Sequence, residues 1–194
     1  MTPKKIVRVI WTPLPITTQS RVRRGGGRNT CARRSSQRMG GAFSWEEVKR
    51  YRDAWKGPMT VKGIMHPADA EKAVSLGIEG IWISNHGGRQ IEALTPSIDC
   101  LPAIADAVGT KATILLDSGV RSGQDVMRAL ALGADAAFAG KSFLWAVAAL
   151  GDQGPDQLVA LYIDELRASL GQIGAHSPKD ARNAKILHPG RIEF

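Results

Sequence analysis

Residues 84–90 read Ser-Asn-His-Gly-Gly-Arg-Gln and follow directly on the apolar run Ile81-Trp82-Ile83. A histidine and an arginine are therefore presented where a buried strand runs out, which is where α/β proteins assemble their active sites. A neutral imidazole can take up a proton near pH 7, which makes His86 a candidate base. The guanidinium of Arg89 can hold a planar carboxylate by two parallel hydrogen bonds. The Gly87-Gly88 pair lets a ligand come close to the backbone. Taken alone, the heptapeptide fits two plainer readings equally well: a loop histidine satisfied by neighbouring backbone, and a solvated arginine.

The elements that must position these residues repeat as one unit between residues 59 and 145: a short apolar strand, a polar turn, then an amphipathic helix ending in Gly. Strands are expected at 60–64, 80–85, 112–117 and 136–140, and helices at 67–76, 97–108 and 122–132. Pro67 sits near a helix start, and Gly77, Gly109 and Gly133 lie just past helix ends. Apolar strands alternating with helices imply an α/β fold with a parallel sheet covered by helices. The chain supplies four such units plus a C-terminal helix near 156–170.

Each expected strand delivers polar residues at its C-terminal end. Lys62 lies in the first, Ser84 and His86 end the second, Asp117, Ser118, Gly119 and Arg121 end the third, and Gly140 and Lys141 end the fourth. In a barrel these ends converge on one mouth. The turns at 117–123 and 139–142 follow the last two strands, the usual phosphate position in such barrels, so a phosphorylated cofactor is expected. Either turn alone is weak evidence, because a glycine-rich turn after a strand is more often only a turn.

With these motifs in order, residues 43–174 resemble the C-terminal half of the FMN-dependent α-hydroxy acid dehydrogenases and oxidases, the family of glycolate oxidase, flavocytochrome lactate dehydrogenase and mandelate dehydrogenase. The segment 84–90 is similar to the family's active-site signature, and Val61-Lys62-Gly63-Ile64 and the run 116–123 match at the expected separations. The resemblance implies half of a TIM (β/α)8 barrel, FMN as cofactor, and oxidation of a small L-2-hydroxy acid to the 2-oxo acid. It makes His86 the base that removes a substrate proton and Arg89 the group that binds the carboxylate. Lys62 would lie beside the flavin N1 and C2 carbonyl, where a cation stabilises the reduced ring, and Ser84 would also contact the ring. Asp117, Ser118, Gly119, Val120 and Arg121, with Gly140 and Lys141, would hold the ribityl chain and phosphate. The family usually has Arg at position 141, so Lys141 keeps the charge and loses the bidentate fork. A carboxylate that orients the imidazole comes, in the family, from the N-terminal half.

A complete barrel takes about 250 residues, and four strands cannot close one. The chain is therefore read as a truncated half-barrel over residues 44–174, with a loose tail at 175–194 and a poor activity of its own. It is expected to dimerise or aggregate to cover its edges. The alternative is a catalytically silent half-barrel that binds anions or FMN weakly or assembles with a partner.

Residues 1–43 hold ten Lys or Arg and no Asp or Glu, against a whole-chain net charge of +8, so residues 44–194 sum to −2. This composition reads as a disordered arm outside the fold. A non-native reading-frame stretch is favoured over a transit-like segment and an anion-binding arm. Sequence-specific nucleic-acid binding is disfavoured, since aromatic residues are not interleaved with the charges. Cys31 and Cys100 have no metal-ligand or redox spacing, which fits a reducing, cytoplasmic compartment. No metal is expected, and no apolar stretch reaches the length of a membrane span. Trp45, Trp55, Trp82 and Trp145 read as core or helix-packing residues, and His66, His176 and His188 as surface or turn residues.

Overall fold

The computed structural model describes residues 8–11 and 43–194. Five parallel strands lie in sequence order across one sheet: β1 Arg8–Trp11, β2 Met59–Ile64, β3 Gly80–Ile83, β4 Thr113–Leu116 and β5 Ala136–Ala137. Among the described residues, six α-helices connect or cover them: α1 Trp45–Ala54, α2 Pro67–Ser75, α3 Ser97–Val108, α4 Gly123–Ala131, α5 Lys141–Leu150 and α6 Gly154–Gln172.

The helix starts follow local chemistry. Ser44 and Glu47 form a reciprocal capping box at α1. At α2 the His66 side chain accepts from the Ala68 N–H at 3.1 Å, with Pro67 as first residue. His66 is thus a cap, in keeping with a turn position.

The sheet sorts its side chains by strand alternation. Val61, Ile81, Ile83, Ile114 and Leu116 are buried with Leu101, Ile104 and Val108 of α3 and Ala70 and Ala73 of α2. Lys62, Trp82, Leu115 and Ala136 pair across β2 to β5 as one row, out of phase with the buried set. The register slips between Lys62 and Ile64, where Gly63 takes φ 99°. That bulge needs a residue tolerant of the left-handed region, and it lets both Val61 and Ile64 join the core while Lys62 stays in the other row. Gly80 is required differently: a Cβ there would meet the Thr60 side chain.

Three expectations are corrected. Residues 1–43 do not all stand outside the fold, because Arg8–Trp11 pairs in parallel with Met59–Lys62. A four-residue run with Val and Ile suffices for an edge strand, and averaging composition over a basic segment hid it. The remainder of 1–43, with Cys31 and the expected disorder, lies outside the described residues. β1 thus adds a fifth strand beside the four of the expected βα units.

The stretch 175–194 is also no loose tail. Ala181 is fully buried beside Met127, Leu130 and Leu170. Arg182 pairs with Asp135 at 2.6 Å, His188 Nε2 lies 2.9 Å from Asp99 Oδ1, and Arg191 pairs with Asp106 at 2.9 Å. The Ile192 N–H donates to Asp99 O at 3.3 Å, and Phe194 meets the His66 ring edge-on with centroids 4.7 Å apart. Pro178 opens a 3-10 helix over Pro178–Asn183, and Pro189 and Gly190 lie between residues that dock. His188 is consequently a packed residue and not a surface one.

Candidate active site

The C-terminal ends of β2, β3 and β4 are joined through one ammonium. Lys62 Nζ lies 2.8 Å from Asp117 Oδ2 and donates to Ser84 Oγ at 2.5 Å. Both charged side chains are mostly shielded, 14% and 19% exposed, a situation that requires pairing. Ser84 is fully buried, and its Oγ also accepts from the His86 N–H at 3.2 Å. Lys62 Nζ lies 5.3 Å from the centroid of the Trp82 ring, which packs on Phe138 at 4.4 Å.

His86 opens a 3-10 turn over His86–Gly88. Asn85 sets up this turn: its Oδ1 accepts from the Gly87 N–H at 3.0 Å and its Nδ2 donates to Thr95 O at 3.1 Å. The Gly87 N–H also donates to Ser118 Oγ at 2.9 Å, and Ser118 Oγ donates to Asp117 Oδ1 at 2.7 Å. His86 and Ser118 both have positive φ, 59° and 77°. Burial holds the imidazole pKa below the ordinary histidine value, the Lys62 ammonium pushes the same way, and the Asp117 carboxylate opposes them. The ring is therefore neutral near pH 7, the state a base needs. Arg89 follows on the exposed side of the turn.

The two glycine-rich turns differ in what their helix N-termini already hold. At α4, Ser122 Oγ accepts from Asp125 N at 3.0 Å and Glu165 Oε2 accepts from Gly123 N at 2.7 Å. At α5, Gly140 makes no side-chain cap, and a Cβ there or at Gly119 would meet nothing. Open amides at a helix start favour an anion, and among the described residues the start of α5 has no side-chain cap whereas that of α4 has two side-chain acceptors. Lys141 Nζ donates to Gly87 O at 2.6 Å, and Arg121 sits over the Trp145 ring at 5.3 Å. Tyr162 donates to Ser142 Oγ at 2.8 Å, tying the start of α5 to α6.

Of the residues singled out from sequence, Lys62, Ser84, His86, Asp117 and Ser118 form one connected cluster, and Lys141 reaches it through Gly87. Gly119, Val120, Arg121 and Gly140 occupy the flanking turns, Val120 being buried. Trp82 belongs to the row beside Lys62 and not to the helix-packing side, and Trp145 is 52% exposed under Arg121 rather than in the core. Asn85 was missed, although Asn before His-Gly-Gly signals a side-chain-supported turn. Glu165 and Tyr162 had no local signal.

A cleft of about 760 Å³ lies at the opposite end of the sheet, lined by residues including Glu79, Lys111, Asp135 and Arg182. Asp135 there is already satisfied by the Ile114 N–H at 2.7 Å and by Arg182. Among the described residues, no cluster of His, Cys, Asp or Glu could hold a metal ion, and no helix is long and apolar enough to cross a membrane.

The donors at the strand ends suit a flavin mononucleotide: a shielded cation and hydroxyl for the ring, and an uncapped helix start with Arg121 and Lys141 for a phosphate. Fold and site together define a parallel α/β sheet of partial-barrel type with polar residues gathered at its strand ends. The family model for FMN-dependent dehydrogenases matches residues 3–188, and the chain belongs to that family. An L-lactate dehydrogenase of Xanthomonas axonopodis pv. citri (strain 306) is 48% identical over 139 residues, 72% of this chain and 36% of that protein. One of Alcaligenes faecalis is 50% identical over 129 residues, covering 66% and 34%. Among solved structures, mandelate oxidase with (S)-2-phenylpropionate aligns with a TM-score of 0.70 and 42% identity over 73% of this chain and 42% of that one. A mandelate oxidase variant bearing a monooxide FMN adduct aligns with a TM-score of 0.69 at 42% identity, covering 73% and 45%. The chain thus spans about a third of the length of the curated relatives it matches.

Proposed function

We propose that the chain carries the catalytic portion of an FMN-dependent 2-hydroxy acid oxidoreductase. His86 takes the substrate proton and Arg89 binds the substrate carboxylate, holding the reacting carbon at a fixed distance and angle. FMN held there would supply the two-electron acceptor that oxidation of a 2-hydroxy acid to a 2-oxo acid requires. Lys62 and Ser84 would serve the ring as cation and hydroxyl, while Asp117 through Arg121, with Gly140 and Lys141, would hold the ribityl phosphate. The observation that supports this reading best is the Lys62 ammonium bound to both Ser84 and Asp117 beside a neutral His86. The names of the relatives favour lactate or mandelate as substrate class.

A second reading, a half-barrel without turnover of its own, is favoured by the sheet order, in which β1 and β5 pair with one strand each among the described residues. Titrating FMN into the purified chain and adding lactate, glycolate or mandelate separates the two. Flavin absorbance that bleaches with one acid supports the first reading. Bleaching that requires a separately expressed N-terminal half of a full-length relative supports the second, and no bleaching with that half present refutes the proposed reaction.

A further inference from the structure

The turn that carries His86 and Arg89 is built from residues with little conformational preference of their own. Gly87 and Gly88 both take φ 69°, and two successive glycines give the backbone maximal freedom when nothing holds it. Constraint therefore comes from outside the turn. The Gly87 N–H is held by Asn85 and Ser118. The other end of the same residue, its carbonyl, is held by Lys141, 54 residues along the chain.

We propose that Lys141 is a positioning residue for the His86–Arg89 turn. Its ammonium fixes the Gly87 carbonyl, and so fixes how the base and the carboxylate-binding side chain face each other. The roles of His86 and Arg89 rest on the function proposed above; the clamp does not.

The geometry is specific to a lysine stem. A Cβ on Gly87 would lie 3.4 Å from Lys141 Cε and 3.6 Å from Nζ, so the stem runs alongside the space that a side chain at 87 would occupy. Lysine is a compact point donor with three N–H groups, whereas a guanidinium spreads its donors over a rigid plane suited to two parallel acceptors. One N–H on Gly87 O leaves two for an anion at the start of α5. The same group then links the β3 and β5 ends of the sheet, and an anion drawn to it competes with the clamp or completes it.

The test is amide hydrogen exchange read by mass spectrometry on the full chain, comparing wild type, Lys141→Met and Lys141→Arg. Lys141 is exposed, so neither variant threatens folding. The expected result for Lys141→Met is exchange on the order of 10-fold faster for residues 86–90, with β3 and α3 unchanged. Lys141→Arg should recover part of that protection. Unchanged exchange at 86–90 in Lys141→Met overturns the clamp, whatever the outcome for catalysis. In FMN-saturated protein supplied with the complementing half, Lys141→Met should lower kcat and raise KM for the 2-hydroxy acid together. Wild-type values of both at saturating FMN, with the turn loosened, overturn the positioning role. Absence of turnover in wild type counts against the proposed function and leaves the exchange result to decide the clamp.

Discussion

Ser118 and His86 are the non-glycine residues with positive φ among the described residues, and they sit on either side of one hydrogen bond, from the Gly87 N–H to Ser118 Oγ. Two side-chain-bearing residues in the left-handed region cost on the order of 1 kcal/mol each. The network of Asp117, Asn85 and Lys141 around Gly87 holds the chain there. Backbone strain is thus located in the turn that carries His86, the proposed base.

Ser118→Ala keeps the unfavourable φ and removes one of the two acceptors of the Gly87 N–H, so it should destabilise by about 1 kcal/mol. Ser118→Gly relieves the φ while losing the same bond and should cost less. Urea unfolding of the two variants checks the order; an alanine variant as stable as the glycine one contradicts it.

His86→Gln should leave FMN affinity near wild type and lower turnover on the order of 10² or more in a sample competent for turnover. Arg89→Met should raise KM and slow the reaction together, since a carboxylate clamp both binds and aligns. Steady-state kinetics decides both, and retained turnover in His86→Gln removes that residue from the base role.

The pH dependence follows from the depressed His86 pKa. Activity should hold as pH falls to the ordinary histidine value of 6.5 and decline only below it. For stability, the unfolded chain takes the proton first as pH falls. The contribution is complete above 6.5 and is lost as pH drops through the folded value. Melting temperature against pH for wild type and His86→Gln reads this directly, the variant showing a shallower acid slope.

Lys62→Met leaves the Asp117 carboxylate shielded and without its ammonium. The expected cost is about 1–3 kcal/mol of stability, together with weaker FMN retention. Lys62→Met with Asp117→Asn should recover stability but not flavin affinity. Recovery of both would mean that Lys62 is structural only.

Deleting residues 1–11 should lower the unfolding midpoint, because it strips the parallel partner from Met59–Lys62 and exposes the edge of β2. Deletion without effect on the denaturant midpoint would show that β1 adds nothing to the sheet.

Much of this was legible in the sequence because strand and helix periods alternate so clearly between residues 59 and 145. The strands are shorter than the apolar runs imply. β3 ends at Ile83 because Ser84 and Asn85 already serve the turn, and β5 keeps only Ala136–Ala137 at the sheet edge. Lys62, Ser84, His86 and Asp117 were readable as neighbours since each lies in or just past a strand near its C-terminal end, and parallel strands bring those ends together. Long-range side-chain bonds left no trace in spacing. Glu165 on the Gly123 N–H and Lys141 on Gly87 O span 42 and 54 residues. Arg8–Trp11 was hidden by the arginines around it.

The docking of residues 188–192 onto the first turn of α3 sets an order in time. Asp99 leaves the ribosome 89 residues before His188, which at about 5–20 residues per second is on the order of 4–18 s. During that interval α3 has its strands to pack against but neither His188 nor Ile192 to cover Asp99. Cys100, whose thiol burial and Asp99 push up to about 11 in the finished fold, passes through synthesis without the tail that later closes over its neighbour. The first turn of α3 is thus completed last, when His188 and the Ile192 N–H reach Asp99.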